Sequence, residues 1–299
     1  MKAFQPLLSA TVTDAGLENL KYPVLISPKL DGIRAVKRGG VILSRKLKPI
    51  RNRHVQQLFA DLPDNLDGEL IVGDPCAPDC FKVTTEGVMS ADGEPAVRFY
   101  AFDYIIPDAP FYWRFAKLGQ CASTARFLGL VNFEIVPHAQ AADATAVREL
   151  EERYVSQGYE GVMIRSLNGP YKFGRSTFKE GTLLKLKRWQ DAEYEVIGFL
   201  EQNHNENELE TDERGYAKRS KAKDGLVGAG KVGKVLVRSV ENHGHVGKVG
   251  NGFTDAERID MWQNQDRYMG RVMTVKFQGF TPYMELRFPS FKGWREPGT

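Results

Sequence analysis

Lys29-Leu30-Asp31-Gly32-Ile33-Arg34 lies between two apolar runs, Val24-Leu25-Ile26-Ser27-Pro28 and Ile33-Arg34-Ala35-Val36-Lys37. Asp-Gly is a tight-turn dipeptide, and so is Gly39-Gly40 just beyond it. The stretch 24–44 therefore reads as three strands joined by two hairpin turns, with Val41-Ile42-Leu43-Ser44 as the last strand. Lys29 precedes the first turn, with a guanidinium five positions on. An amine attacks only when neutral, and the unperturbed pKa of lysine is about 10.4. Neighbouring cations or a dry pocket lower that value and make a lysine a nucleophile near neutral pH. Taken alone, the hexapeptide fits a charged hairpin better than a reactive site.

Four further segments follow in order. Asp67-Gly68-Glu69-Leu70-Ile71 sets a carboxylate at the start of an apolar run, fit to accept from a ribose hydroxyl or to serve a metal. In Phe99-Tyr100-Ala101-Phe102-Asp103-Tyr104 the period of two puts Tyr100 and Phe102 on one strand face and Ala101 and Asp103 on the other. Such an aromatic face can plate a purine or pack a core. Glu160-Gly161-Val162-Met163-Ile164-Arg165 sets another carboxylate before an apolar run. In Leu183-Leu184-Lys185-Leu186-Lys187 both lysines share a face. They repel each other unless solvent or an anion lies between them, and a phosphate meets that need.

The bulk numbers bound the reading. At 299 residues the chain suits about two domains, and 42% hydrophobic residues exclude disorder of the whole. A net charge of +3 and a pI of about 8.6 are compatible with a polyanionic partner without requiring one. Cys76, Cys80 and Cys121 are too few, and odd in number, for a disulfide scaffold, which points to a reducing compartment. Cys76 and Cys80 lack a second Cys/His pair at zinc spacing and read as free thiols in a polar loop. Pro6 cuts the N-terminal apolar stretch, so no secretory signal is read, and no run approaches a membrane span. A soluble, cytoplasmic protein is expected.

Helices are predicted over 52–62, from Val55, Leu58, Phe59 and Leu62, and over 144–157. For the second, Asp143 is the cap, Val147, Leu150 and Tyr154 line one face, and Gly158 ends it. Composition shifts after Trp189. Strands are predicted at 193–199, 234–240, 271–280 and 283–288, and a helix at 255–268 behind a Thr254/Glu257 capping box. Residues 201–233, rich in Asn, Glu, Lys and Gly, read as a long exposed loop. Several strands with one helix suit a small β-barrel. The boundary is placed near 189–191.

The five segments in this order resemble the motifs of the covalent nucleotidyltransferases, and most closely the ATP-dependent DNA ligases, the small viral ones in particular. Ser44-Arg45, Tyr171-Lys172-Phe173-Gly174-Arg175-Ser176-Thr177, Lys248-Val249-Gly250-Asn251-Gly252-Phe253, Arg287-Phe288-Pro289-Ser290-Phe291 and Trp294-Arg295 extend the resemblance across most of the chain. It implies an α+β fold. A nucleotidyltransferase (adenylation) domain with antiparallel sheets and flanking helices would span 1–189, and an OB-fold β-barrel 190–299.

The resemblance further implies that Lys29 takes AMP from ATP as a lysyl-AMP. AMP then passes to the 5′-phosphate of a nick, and the 3′-hydroxyl displaces it. Arg34 and Arg45 would serve ribose, phosphate or nick, and Glu69 the ribose hydroxyl or a metal. Phe102 would stack on adenine, and Glu160 would serve Mg²⁺ (or Mn²⁺). Arg175, Lys185 and Lys187 would hold the α-phosphate, and Arg287 and Arg295 the β,γ-phosphates. The expected partner is nicked double-stranded DNA, bound by a monomer without a recruitment domain and without a membrane.

Some small viral ligases carry a hairpin insertion in the barrel that closes round the duplex. The stretch 201–233 lies at a similar place, with Arg214, Lys218, Arg219, Lys221 and Lys223 as DNA-clamp candidates expected to order only on DNA. One departure is the absence of a C-terminal R-x-D-K motif, with Arg287-Phe288-Pro289-Ser290-Phe291 in its place. The competing readings are an RNA ligase or mRNA-capping guanylyltransferase of the same superfamily, and a non-catalytic OB module for single-stranded nucleic acid.

Overall fold

The computed structural model describes residues 3–205, 209–211, 217–219, 225–242, 244–280 and 283–295. The chain divides into two compact units, Met1–Arg188 and Trp189–Thr299.

The first unit holds two five-stranded sheets. One runs, in spatial order, Val41–Ser44, Ile33–Arg38, Leu66–Val72, Val97–Tyr104 and Phe133–Ile135. The other runs Ala10–Thr11, Leu183–Leu186, Val162–Ser166, Val24–Pro28 and Ala139–Ala141. Val24–Pro28 and Ile33–Arg38 are therefore not the hairpin partners expected from Asp31-Gly32. The segment between them crosses from one sheet to the other, and Lys29 lies on the crossing. A turn signal reports a local bend, whereas partners are chosen by apolar faces. Ile26 buries with Ile164 and Leu184 in one core, and Ala35 with Leu70 and Phe99 in another. The Gly39-Gly40 turn does close a hairpin, with Arg38 opposite Val41.

Helices pack on the sheets. Arg53–Leu58 starts where the Asn52 side chain accepts the Val55 N–H at 2.9 Å. Ala144–Ser156 starts where Asp143 accepts from Ala146 at 2.8 Å, and it buries Val147 and Tyr154. Two helices escape the sequence reading, Cys80–Met89 and Phe111–Phe127. Cys80 is thus not in a polar loop. It opens a helix and is buried, and all three cysteines are free.

The second unit is one antiparallel sheet in the order Val246–Val249, Leu226–Ser239, Gln190–Asn205, Val272–Phe277, Ser290–Trp294. Among the described residues a single Asn251–Ser290 bridge links its two edges, so the sheet curls without a closing ladder there. Its core includes Val196, Val235, Val237, Met261, Met273 and Val275. The helix Asp255–Gln263 has the expected Thr254/Glu257 capping box. The strand expected over 283–288 is absent. Met284 and Phe288 take left-handed φ values of 58° and 51°, which a pleated ladder does not accommodate, and the strand forms later at Ser290–Trp294.

Within 201–233, expected to be a long loop, the described residues form a two-stranded ribbon. Gln190–Asn205 and Leu226–Ser239 stay paired as far as Asn205 opposite Leu226, and Leu209–Thr211 pairs with Ala217–Arg219. Composition misleads here because backbone hydrogen bonds hold the paired strands whatever their side chains. Of the clamp candidates, Lys218 and Arg219 lie on Ala217–Arg219, while Arg214, Lys221 and Lys223 fall outside the described residues. Among the described residues no helix is long and apolar enough to cross a membrane.

Candidate active site

Strand register assembles the site. Pro28, Val162 and Leu186 lie side by side across three neighbouring strands. One residue further along, the Lys29 N–H donates to Gly161 O at 2.9 Å. Lys29, Glu160 and Lys187 therefore emerge at one end of the sheet. Both lysine ammoniums donate to the Glu160 carboxylate, Lys29 to Oε2 and Lys187 to Oε1. The Glu160 side chain is only 3% exposed, and the lysines 19% and 16%. Burial pushes its pKa up, but Lys29 and Lys187 more than offset that and hold it below the ordinary value. Lys185 projects from the same strand, and burial followed by Lys187, Lys29 and Arg175 lowers its pKa. Burial and then Lys29 also lower Lys187. Arg175 is exposed, with its guanidinium donating to Ser9 O at 2.6 Å.

The other sheet supplies a second group. Arg34 forks onto Asp67, with Nε and Nη2 each 2.6 Å from a carboxylate oxygen, and Nη2 also reaches Leu7 O at 3.1 Å. Tyr171 donates its phenol to Asp67 Oδ2 at 2.6 Å and accepts the Leu7 N–H at 3.2 Å. The Arg34 guanidinium lies 4.5 Å from the centre of the Phe102 ring. Phe102 is the extra residue of a bulge, since Gly68 faces Ala101 and Asp67 faces Asp103. A bulge re-aims a side chain, and bulges recur beside active sites. Glu69 lies opposite Arg34 in register, and burial pushes its carboxyl up to about 7 against the pull of Arg34 and Lys29.

The remaining candidates lie elsewhere. Arg45 is exposed in the turn after Val41–Ser44. Arg287 and Arg295 belong to the second unit, where Arg295 pairs with Glu193 at 2.5 Å.

Asp67, Tyr171, Asp103, Arg114 and Arg165 escape the sequence reading as supports of the site. Asp103 is buried and receives Arg114, through Nε at 2.7 Å, and Arg165. The available signal is a charge on an inward-facing strand position, Asp103 in FYAFDY and Arg165 in VMIRS, because buried charges require partners.

Comparisons with known proteins identify the family. The family model of the ATP dependent DNA ligase domain matches residues 6–187, and that of the DNA ligase OB-like domain matches residues 227–295. The DNA ligase of Haemophilus influenzae is 27% identical over 277 residues, covering 91% of this chain and 86% of that protein. A probable DNA ligase of Kineococcus radiotolerans is 32% identical over 61% of this chain, which spans only 37% of that relative's length. A solved structure of the Lig E DNA ligases, described as binding DNA with a minimal scaffold, superposes with a TM-score of 0.72 at 25% identity. That match covers 99% of this chain and 100% of the other. The Chlorella virus DNA ligase-adenylate is 31% identical, with a TM-score of 0.55 over 97% and 99% of the two chains. Five ordered motifs, three of whose charged residues meet at one sheet end, and two consecutive domain matches lead to one conclusion: the chain belongs to the ATP-dependent DNA ligase family.

Proposed function

We propose that this protein seals 3′-hydroxyl/5′-phosphate nicks in duplex DNA as a monomer, with Lys29 Nζ as the nucleophile toward the α-phosphate of ATP. One observation carries the assignment: Lys29 and Lys187 converge on the single carboxylate of Glu160, with Lys185 and Arg175 close enough to act on one another electrostatically. Cations in excess of carboxylates suit a triphosphate, whose transfer depends on positioning and charge neutralisation. As the Nζ–P bond forms, the bond to pyrophosphate breaks, and Glu160 is already hydrogen-bonded to the ammonium that must give up its proton. Phe102 offers a ring to adenine on the side away from Arg34. Glu69 offers its carboxylate to the ribose. Arg45 suits the nick, and Arg287 and Arg295 the leaving phosphates.

The donor set suits Mg²⁺. Magnesium takes one or two carboxylates and completes its shell with phosphate and water. Glu160 and Glu69 would supply the carboxylates, and the described residues form no all-protein cage of three or more ligands. Bound there, the ion would neutralise charge on the transferring phosphate. The ribbon, with the basic residues Arg214, Lys218, Arg219, Lys221 and Lys223 in its sequence, suits the duplex backbone as a clamp.

Incubating the protein with ATP, Mg²⁺ and a nicked duplex tests the proposal, with nicked RNA as the competing substrate. Sealing of DNA, and its loss together with the covalent AMP adduct in folded Lys29→Ala, is expected. A Lys29→Ala protein that still forms the adduct overturns the assignment of the nucleophile. Sealing of RNA alone overturns the substrate.

A further inference from the structure

The ribbon leaves its sheet through a built bend. Among the described residues, Val272–Phe277 pairs with the first long strand only over 190–195, and Val246–Val249 pairs with the second only over 235–238. Beyond Leu200 and Lys234 the described ladder pairs of the two long strands are with each other. The ladder slips twice at that point. Gly233 is an extra residue between the pairs Leu200–Lys234 and Glu201–Val232. Next, residues 229–231 stand opposite Gln202 alone, between Glu201–Val232 and Asn203–Gly228. Extra residues bend a strand and free backbone groups from the ladder.

The helix Asp255–Gln263 takes up what the bend frees. Arg258 Nη1 donates to Val232 O at 2.9 Å and to Gly233 O at 3.2 Å, while Nη2 donates to Gly250 O in the KVGNGF segment. One turn earlier, and so on the same helix face, Asp255 accepts from Lys231 Nζ at 3.0 Å. Across the ribbon, Glu201 accepts the Gly230 N–H at 2.9 Å. Every residue from Gly230 to Gly233 thus bonds to the helix or to the opposing strand.

We propose that Arg258 is a positioning residue: by holding the Val232–Gly233 bend to the helix, it sets the direction in which the charged ribbon meets the DNA backbone. The inference rests on the reading of the ribbon as a DNA-binding element. It assigns no chemistry to Arg258, which acts only through the ribbon.

The test is binding of full-length protein to a nicked duplex, with metal withheld so that nothing is sealed, across a salt series. Each DNA phosphate that the protein no longer neutralises flattens the slope of log K against log salt by about 0.9. Arg258→Met, like deletion of 205–231, is expected to flatten the slope by about 2 or more and to weaken binding roughly tenfold near 0.1 M salt. Gly233→Ala provides a second route that spares Arg258. A Cβ there would stand 2.9 Å from Gln202 Cα and 3.1 Å from Glu201 O and would alter the bend, so the same flattening is expected. Arg258→Lys, which retains a donor, is expected to recover part of the slope. A merely structural role would lower the melting temperature and leave the slope of the folded protein unchanged. Wild-type slopes in Arg258→Met and Gly233→Ala, beside a flattened slope in the deletion, overturn this inference alone. An unchanged slope in the deletion overturns the ribbon's role in DNA binding and this inference with it.

Discussion

Asp67 and Asp103 stand directly opposite each other on adjacent strands, both closed off from solvent. Carboxylates so placed repel unless each is neutralised. The chain gives each its own arginine fork, Arg34 to Asp67 and Arg114 to Asp103, and adds Arg165 to the second. Arg114 is fully buried and also donates to Gly169 O at 2.9 Å. Removing one partner of a buried pair leaves an uncompensated charge and costs about 3–5 kcal/mol. Arg165 still covers Asp103, so Arg114→Met is expected to cost about 3 kcal/mol. Denaturant melting measures this, and a loss below about 1 kcal/mol would show that the Asp103 cluster is not structurally important.

Glu160 predicts a stability that depends on pH in a defined direction. Its folded pKa lies below the ordinary 4.5 because Lys29 and Lys187 more than offset burial. Its contribution is therefore fully present above that ordinary value and is lost as pH falls through the folded one. Glu160→Gln should be less stable than wild type by about 2 kcal/mol at pH 7, with the gap closing in acid. Melting curves at pH 7 and near pH 3 decide the matter. A gap that persists unchanged into acid would mean that the ion pairs are not its source.

The parts of the site legible in the sequence are those carried by local chemistry. The Thr254/Glu257 capping box, the Asp143 cap and the strand alternation of FYAFDY depend on neighbours within a few positions. Lys29, Glu160 and Lys187 are each legible as candidates, and their meeting follows from pairing of Pro28 with Val162 and of Val162 with Leu186. Such long-range register has no local signature. The same reason hides the crossing at Asp31-Gly32 and the support of Asp67 by Tyr171, 104 positions away. The helix Phe111–Phe127 is hidden because its exposed face carries Tyr112 and Trp113 and its centre reads Gly119-Gln120, which blurs the helical period.

Glu69 has the opposite sign to Glu160. Burial outweighs the pull of Arg34 and Lys29 and leaves its carboxyl at about 7. A folded pKa above the unfolded one means that the group costs stability once pH exceeds the unfolded value. Glu69→Gln should therefore stabilise the nucleotide-free protein by about 1–2 kcal/mol at pH 8 and have little effect near pH 5. The same change should raise the KM for ATP in lysyl-AMP formation about tenfold, because an amide is a weaker acceptor for a ribose hydroxyl than a carboxylate. Melting in EDTA and adenylylation with labelled ATP give the two readouts. A destabilised Glu69→Gln at pH 8 would mean that the carboxylate is satisfied in its site.

Gly161 ties the strand geometry to the chemistry. Its φ of +149° lies outside the usual range of other residues, and its carbonyl receives the Lys29 N–H. A Cβ there would press on Leu186 O and stand 3.2 Å from Lys187 Cα. Gly161→Ala must therefore push the Lys187 strand away from Glu160. A displacement on the order of 1 Å at a reacting group can cost about 100-fold in rate, and the backbone strain about 1–3 kcal/mol. Gly39→Ala is the matched control. It also imposes a positive φ, 59°, but the added carbon meets nothing within 4 Å. Both variants should lose stability, and only Gly161→Ala should lose lysyl-AMP formation, by roughly 100-fold when labelled from ATP. Equal adenylylation rates in the two variants would show that the site tolerates separation of these strands, and the requirement for close packing behind Lys29 would fall.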